Sequence, residues 1–487
     1  MVNNMKKFDK TKTKKNLNFR LLSIILIICS IITLVLIIKS NLFSILTIIL
    51  ITLILFVIDF IFFKGLNSKL RVWCKNVISF FVIILILIQI LFYIFGNKAI
   101  VFLSSIMDTG IRTYTYNVYV LDNSEYKELK DLNNKMISYL LDDNNKEMNK
   151  KLSKEIKYKT RVSDDINKLM DGIINEEYAA IVLNESYEDI LKEYNENDFN
   201  KLRKIYTLEI TTKIDIMKSS KNIANTPFVI YISGIDTMGK ITSSARSDVN
   251  IIMAVNPNTK KIVLVSTPRD FYVDLPTKGK KDKLTHAGIY GLDESMKALS
   301  KTYDVDIDYY ARINFSSFIN IIDAIGGVEV DVEDSFCESN EERSTKKSDL
   351  ICLNKGINTI NGREALAYAR NRHAFNNGDI ARGNHQMEIL NAMIKKMTSK
   401  DILKNYNKII DSLKGQVLTN VNIDDIYKIA KKELKEESGY EITSLTPEIS
   451  NMNKLAECYS IGDWAYVLEG DTNSINEISN KLKEVLS

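Results

Sequence analysis

The chain has 487 residues, enough for two or three domains, with 26% charged residues and a formal net charge of +4. The charge is unevenly placed: residues 1–76 carry 12 Lys/Arg against two acids, leaving 53 basic and 59 acidic residues in the rest. A mildly acidic main body lacks the basic face that a general nucleic-acid surface needs, so no nucleic-acid partner is expected.

Three apolar runs come first, at about 21–38, 42–63 and 77–95. Each approaches the ~20 residues that cross a hydrocarbon core. The first has no charge, the second has Asp59, expected near the interface beside Lys64, and the third has Gln89 as its strong polar residue. No small-residue cleavage site follows the first run, so it reads as a span rather than a removable signal peptide. Seven Lys/Arg between Lys6 and Arg20, and Lys64, Lys69, Arg71 and Lys75 in the second loop, contrast with Lys39 alone in the first loop. The positive-inside rule then predicts a three-pass protein of the cell membrane. Its N-terminus is cytoplasmic and everything beyond the membrane segment, residues 1–97, lies outside.

Residues 111–225 alternate strand and helix patterns, as in TYTYNVYVL and then AAIVL between two helical stretches. That predicts a small α/β accessory domain. Its YVLDNS, LKDLNNKM and LMDGIINEEYAAIVLNES segments resemble half of a type 2 periplasmic solute-binding fold. An exterior ligand sensor and a ligand-free spacer both fit.

Residues 226–487 read as a larger α/β domain, a mixed sheet covered by helices. FVIYIS, VNIIMAV and KIVLVS are apolar strands, the last two joined by a turn at Asn256-Pro257-Asn258, and VEVDV is another. Helical patterns follow at 292–302, 314–324, 362–369 and 383–397. Lys396 lies on the last of these helices, beyond its motif, and its replacement by Ala is expected to be nearly silent. Cys337 and Cys352 bracket a charged insert; a disulfide and two free thiols both fit.

The chemistry concentrates between residues 234 and 386, in GIDT, RSD, STPRD, DKLTHAG, YARNRH and GDIARGNHQ. Arginines, one lysine and acids amid Gly, Ser, Thr and Asn suit a phosphate-rich anion bridged by a divalent cation. Arg246 and Asp248 are two apart before a strand, so they point to one side. Arg370 and Arg372 share a side only if the helix ends near Ala369, whereas Arg382 and Gln386 share a helical face. All three histidines, His286, His373 and His385, lie in these segments, but no His-Ser-Asp order supports a triad.

In order, the segments resemble the LytR-CpsA-Psr family of cell-envelope proteins over about 230–394. GID, R-x-D, S-x-PRD, K-L-x-x-A, Y-x-R-x-x-F with DAIGGV, L-x-G-x-x-AL-x-Y-x-R-x-R (with Ile360 in place of its Leu) and GD-x-x-R-x-x-x-Q occur in sequence. The resemblance implies an extracytoplasmic phosphotransferase. It would move a glycopolymer, such as a wall teichoic acid or capsule, from a polyprenyl-pyrophosphate carrier onto peptidoglycan. A polyprenyl-pyrophosphate hydrolase and a non-enzymatic envelope regulator are the alternatives. By position, Asp236 and Asp248 would hold Mg²⁺. Arg246, Arg269, Lys283, Arg370, Arg372, Arg382 and Gln386 would bind the pyrophosphate, and Asp236, Asp248, Arg370 and Arg372 would be catalytic. Phe315, Phe318, Ile319 and Ile322 are candidates to line an apolar tunnel for the carrier tail. His385 stands where the family often has Arg, so a cationic contact is expected to be missing or pH-dependent.

Overall fold

The computed structural model describes residues 2–40, 45–106, 110–214, 216, 219, 221–238, 241, 244–344, 346–371, 378–399, 417–436 and 439–487. Met1–Ser105 and Ile106–Ser487 are separate compact units.

The first unit is three helices, α1 (Val2–Ser40), α2 (Ile45–Asn67) and α3 (Val72–Ile106). Their apolar stretches Asn18–Ile38, Ile45–Asn67 and Val72–Ile94 are long enough to cross a membrane. Phe19, Leu26, Leu66 and Val82 pack among them. Each helix also contributes one polar group: Ser30 Oγ donates to Asp59 Oδ1 at 3.1 Å and Gln89 Nε2 donates to Ser30 Oγ at 2.9 Å. Asp59 is therefore engaged with a neighbouring helix. Hydrogen bonds of this kind join helices where lipid supplies no hydrophobic drive.

The second unit begins with β1 (Ile111–Leu121), β2 (Met136–Leu140), α4 (Asn145–Leu152), β3 (Lys159–Ser163), α5 (Ile166–Ile174), β4 (Ala180–Asn184), α6 (Glu188–Tyr194), α7 (Glu196–Phe199) and β5 (Leu202–Lys213). The strands form one sheet in the order β3-β2-β4-β1-β5. Asp165 caps α5, its carboxylate accepting from Asn167 N and Lys168 N.

A six-stranded sheet follows. It contains β6 (Phe228–Ile235), β7 (Val249–Asn256), β8 (Lys261–Ser266) and, after the ribbon β9 (Tyr272–Leu275) and β10 (Lys280–Lys283), β11 (Tyr309–Asn314). α8 (Leu284–Ala287) and α9 (Leu292–Tyr303) precede β11, and α10 (Phe315–Ala324) follows it. β7 runs antiparallel to both β6 and β8, while β11 runs parallel to β6. Val229, Tyr231, Ile252, Ala254, Val263 and Val265 pack on one face with α9. The alternate residues Phe228, Ile230, Ile251, Val255, Ile262 and Leu264 pack on the other. Both faces are covered, which is why these strands read as continuous apolar runs.

Small ribbons flank the sheet: β12 (Val328–Val332) with β15 (Gly356–Ile360), and β13 (Phe336–Glu338) with β14 (Ile351–Leu353). α11 (Gly362–Arg370) and α12 (Gly378–Met397) come next. Gly362 lies against α10 so closely that a Cβ would come 2.3 Å from Ile319 O. The short β16 (Leu418–Thr419), α13 (Ile423–Glu436), β17 (Glu441–Leu445), the hairpin β18 (Ile449–Cys458) with β19 (Asp463–Gly470), and α14 (Thr472–Leu486) complete the chain. β16 and β17 form the two edges of the six-stranded sheet.

Lys396, whose replacement is expected to be nearly silent, has a structural contact. Its ammonium donates to Gly326 O at 2.6 Å and Gly327 O at 2.5 Å. Both glycines have positive φ, 76° and 78°, a conformation open to Gly at little cost. The end of α12 thereby ties down the turn before β12.

Candidate functional site

Strand direction brings the sequence motifs together. β6 and β11 end side by side, Ile235 opposite Asn314. β7 begins beside that end, Val249 opposite Gly234, and β8 finishes there, Ser266 opposite Ile251. Asp236, Asp248, Arg269 and Phe315 thus all leave the same edge of the sheet, the one formed by these strand ends rather than by β16 or β17. Such edges are common ligand sites in α/β folds because the loops there converge.

Backbone hydrogen bonds clamp the loops to each other. Asp248 N donates to Gly234 O (2.8 Å), Ser247 N to Thr285 O (3.2 Å) and Thr285 N to Arg269 O (2.8 Å). Beneath them is a buried polar network. Tyr231 OH donates to Asn250 Oδ1 (2.6 Å), the Ser233 and Ser247 hydroxyls are 2.8 Å apart, and Arg312 Nε donates to Ser233 Oγ (3.0 Å). Burial pushes the Arg312 guanidinium down to about 10, so it stays charged at neutral pH. This network holds the Arg246–Asp248 segment from behind.

The charged side chains form an alternating line. Arg269 Nη1 donates to Asp248 Oδ1 at 3.1 Å, and Arg269 Nε lies 3.6 Å from Asp270 Oδ2. Asp270 Oδ1 accepts from Lys283 Nζ at 2.9 Å. Burial opposes ionisation of Asp270, but Lys283 and Arg269 outweigh it and hold its carboxyl below the usual carboxylate range. Burial likewise opposes the Lys283 charge, yet Asp270 and Tyr194 hold its pKa above the ordinary lysine value. The Lys283 ammonium sits 5.7 Å from the Tyr194 ring centroid.

Two further contacts, like that of Tyr194, come from outside the motifs. The accessory domain supplies Glu193, whose Oε2 is 2.5 Å from Arg246 Nη1. The segment between Cys337 and Cys352 supplies Arg343, which donates to Asp236 Oδ2. The two cysteines are disulfide-bonded. Neither Glu193 nor Arg343 was legible as a site residue, because each belongs to a surface stretch of mixed charge.

α11 starts from a capping box between Asn361 and Glu364 and ends at Arg370. Asn371 then turns to extended backbone (ψ 124°), the geometry that lets Arg370 and a residue two further on share a side. Arg370 Nη1 donates to Asn340 O at 3.1 Å and its guanidinium lies 5.2 Å from the Phe315 ring centroid. Arg372 and His373 lie outside the described residues. On α12, Gln386 Nε2 donates to Ala369 O at 3.2 Å. Arg382, partly exposed, adjoins Gly383, where an added Cβ would come 3.2 Å from Ser266 Oγ. α12 therefore crosses the end of β8 and brings Arg382 to the same edge. On α10, Ile322 is buried in a satellite core, whereas Phe315, Phe318 and Ile319 are half-buried.

His385 does not act as a cation here. His385 is buried and stacks on Tyr368 with ring centroids 4.3 Å apart, and burial lowers its pKa to about 4. The cationic contact at this position is missing at neutral pH. His286 meets Asp282 Oδ1 (2.7 Å) and Ser460 Oγ (2.8 Å), but both on Nδ1, and all three residues are buried. A relay needs the serine on the other ring nitrogen and open to substrate, so this cluster fastens the β18–β19 turn to α8.

Among the described residues, no group of three or more His, Cys, Asp or Glu is placed to hold a metal ion. Asp236 and Asp248 still offer oxygen donors on adjacent strand ends. Mg²⁺ is commonly held by one or two carboxylates with substrate phosphates and water completing its shell, and that donor set fits these two residues.

A model of the LytR_cpsA_psr family matches residues 189–484. The chain is 35% identical over 202 residues to the polyisoprenyl-teichoic acid–peptidoglycan teichoic acid transferase TagT of Bacillus subtilis, covering 41% of this chain and 61% of that one. It is 33% identical over 217 residues to TagU of Enterococcus faecalis, covering 44% and 68%. Among solved structures, B. subtilis TagV aligns with a TM-score of 0.46 at 29% identity, over 54% of this chain and 98% of that one. The match to TagT thus spans less than two thirds of that relative. With the motifs converging at one sheet edge and the family model covering most of its length, the chain belongs to the LytR_cpsA_psr family.

Proposed function

We propose that this protein transfers a glycopolymer from a polyprenyl-pyrophosphate carrier onto peptidoglycan at the outer face of the membrane. The observation that carries the reading is the convergence of the segments bearing Arg246, Arg269 and Lys283 with Asp236 and Asp248 at one edge of the sheet, with Arg370 tied to the Asn340 carbonyl of the segment that reaches Asp236. So many cations at one mouth suit an anion with several negative oxygens. The relatives named as teichoic acid transferases support the substrate class, and three apolar helices suit a donor embedded in a bilayer. The Lys/Arg flanks support a cytoplasmic N-terminus and an exterior catalytic domain.

In this mechanism an acceptor hydroxyl attacks the phosphorus next to the glycan. The new O–P bond forms as the bond from that phosphorus to the bridging oxygen breaks, and polyprenyl phosphate leaves with that oxygen. Asp236 or Asp248 takes the hydroxyl proton. The arginines hold the phosphoryl oxygens in line and stabilise the charge that develops on them. Asp236 and Asp248 would also hold Mg²⁺, which when bound neutralises the pyrophosphate. Phe315, Phe318 and Ile319 would present an apolar wall to the first isoprenes.

Two measurements test the reading. Lipid extracted from the purified full-length protein should contain polyprenyl phosphate or pyrophosphate by mass spectrometry. Reaction with carrier-linked polymer should yield polymer attached to peptidoglycan. Release of free polymer whether or not peptidoglycan is present would instead make it a hydrolase.

A further inference from the structure

The disulfide-clipped segment is built around the site more closely than a solvated insert requires. Cys337 and Cys352 sit directly opposite each other in the β13–β14 ribbon. The ribbon is anchored through Phe336, which stacks on Tyr368 of α11 with ring centroids 5.9 Å apart. Between the cysteines, Asn340 organises a tight turn: its Oδ1 accepts from Glu342 N (3.2 Å) and Ser344 N (3.0 Å), and its O accepts from Arg343 N (3.0 Å). The same carbonyl accepts from Arg370. Arg343 itself adopts φ 60°, a left-handed conformation that non-glycine residues enter at a cost.

This construction presents Arg343 to Asp236. As a stabilising pair it explains little: the Arg343 side chain is 61% exposed, and exposed ion pairs contribute almost nothing to folding. Its position explains more. The Arg343 backbone N–H and the Arg370 guanidinium share the Asn340 carbonyl, which keeps the two residues close, and the Arg343 guanidinium covers a carboxylate that a cation would need. A cation at Asp236 would repel the guanidinium, and the exposure of the Arg343 side chain leaves it room to turn toward another anion.

We propose that Arg343 is a further pyrophosphate ligand of the donor site, delivered by the Cys337–Cys352 clip. It neutralises Asp236 when no donor is bound and moves to the donor's phosphate when a cation takes Asp236. The inference rests on the function proposed above. It assigns part of donor recognition to a segment outside the family's arginine motifs.

The test uses full-length protein in detergent, with farnesyl pyrophosphate as a short polyprenyl pyrophosphate and Mg²⁺ alone as the second probe, both by calorimetry. Arg343→Gln should weaken farnesyl pyrophosphate binding roughly tenfold, as loss of one charge-assisted hydrogen bond implies. It should also tighten binding of Mg²⁺ alone, because Asp236 is released. Arg343→Lys should fall between. The Cys337→Ser/Cys352→Ser double variant should shift both constants in the same directions. If Arg370→Lys loses farnesyl pyrophosphate while Arg343→Gln binds both probes as the wild type does, the donor site stands and the role of Arg343 is overturned. If the wild-type protein does not bind farnesyl pyrophosphate, the functional reading fails and this inference with it. Wild-type constants in the double serine variant, alongside a defective Arg343→Gln, would overturn delivery by the clip.

Discussion

Arg269 and Asp248 meet at 3.1 Å across the ends of β8 and β7, and each side chain is about four-fifths buried. The pair joins the anion-binding side of the site to its acidic side. Arg269 is fixed in direction by two carboxylates, Asp248 and Asp270. Its planar fork can satisfy both and still face a phosphate, which a lysine cannot reproduce.

Arg269→Lys and Asp248→Asn are therefore expected to reduce transfer by about 10²-fold or more, the usual scale for removing one preorganised electrostatic contact. Arg370→Lys should behave alike. Circular dichroism should show all three folded. Wild-type transfer rates in Asp248→Asn and Arg370→Lys together would remove the pyrophosphate assignment.

Lys283 and Asp270 make a largely buried pair, so removing one partner strands the other. Lys283→Met should cost roughly 3 kcal/mol of stability, within the range for breaking such pairs, and Lys283→Met/Asp270→Asn should recover part of it. Urea unfolding of the four proteins gives the coupling directly. The pH signs are opposite for the partners. Asp270 has a depressed folded pKa, so its contribution is present above the ordinary carboxylate range and is lost as pH falls below it. Lys283 has a raised one, so its contribution is present below the ordinary lysine value and is lost as pH climbs past its folded value.

His385 is held neutral, with a pKa of about 4. Between that value and an unfolded histidine's ~6.5, the unfolded chain binds a proton that the folded chain does not. Stability should consequently fall as pH drops through this window, by roughly 3 kcal/mol in all. His385→Phe should remove that part of the dependence while keeping the stack on Tyr368. An unchanged pH profile of unfolding would show that His385 is not the group responsible.

Lys396→Ala should leave transfer intact but lower stability by about 1–2 kcal/mol, since Gly326 O and Gly327 O lose their shared donor. A fully silent variant would mean that water replaces the ammonium.

Denatured, unreduced protein should present three free thiols, from Cys29, Cys74 and Cys458, with Cys337 and Cys352 paired. Five reactive thiols in that assay would exclude the clip. The entropy model assigns a loop of this length about 3 kcal/mol, so reduction should also lower the unfolding midpoint.

Local patterns carried much of this protein in its sequence alone. The three apolar helices, the runs of β6, β7 and β8, and the order of the arginine motifs are properties of short segments. Periodicity and run length report them without knowledge of the fold. The end of α11 was legible too, because two arginines two apart can cooperate only where a helix gives way to extended chain. Which charges meet was decided by the tertiary structure. Glu193 reaches Arg246 across 53 residues and Arg343 reaches Asp236 across 107. Nothing in a surface stretch of mixed charge marks one acid or one arginine as the one that docks. Burial was hidden for the same reason: His385 is neutral because α12 lays it on Tyr368, and Lys396 is structural because the same helix ends over Gly326 and Gly327. Both facts follow from packing between segments distant in sequence, which no local pattern encodes.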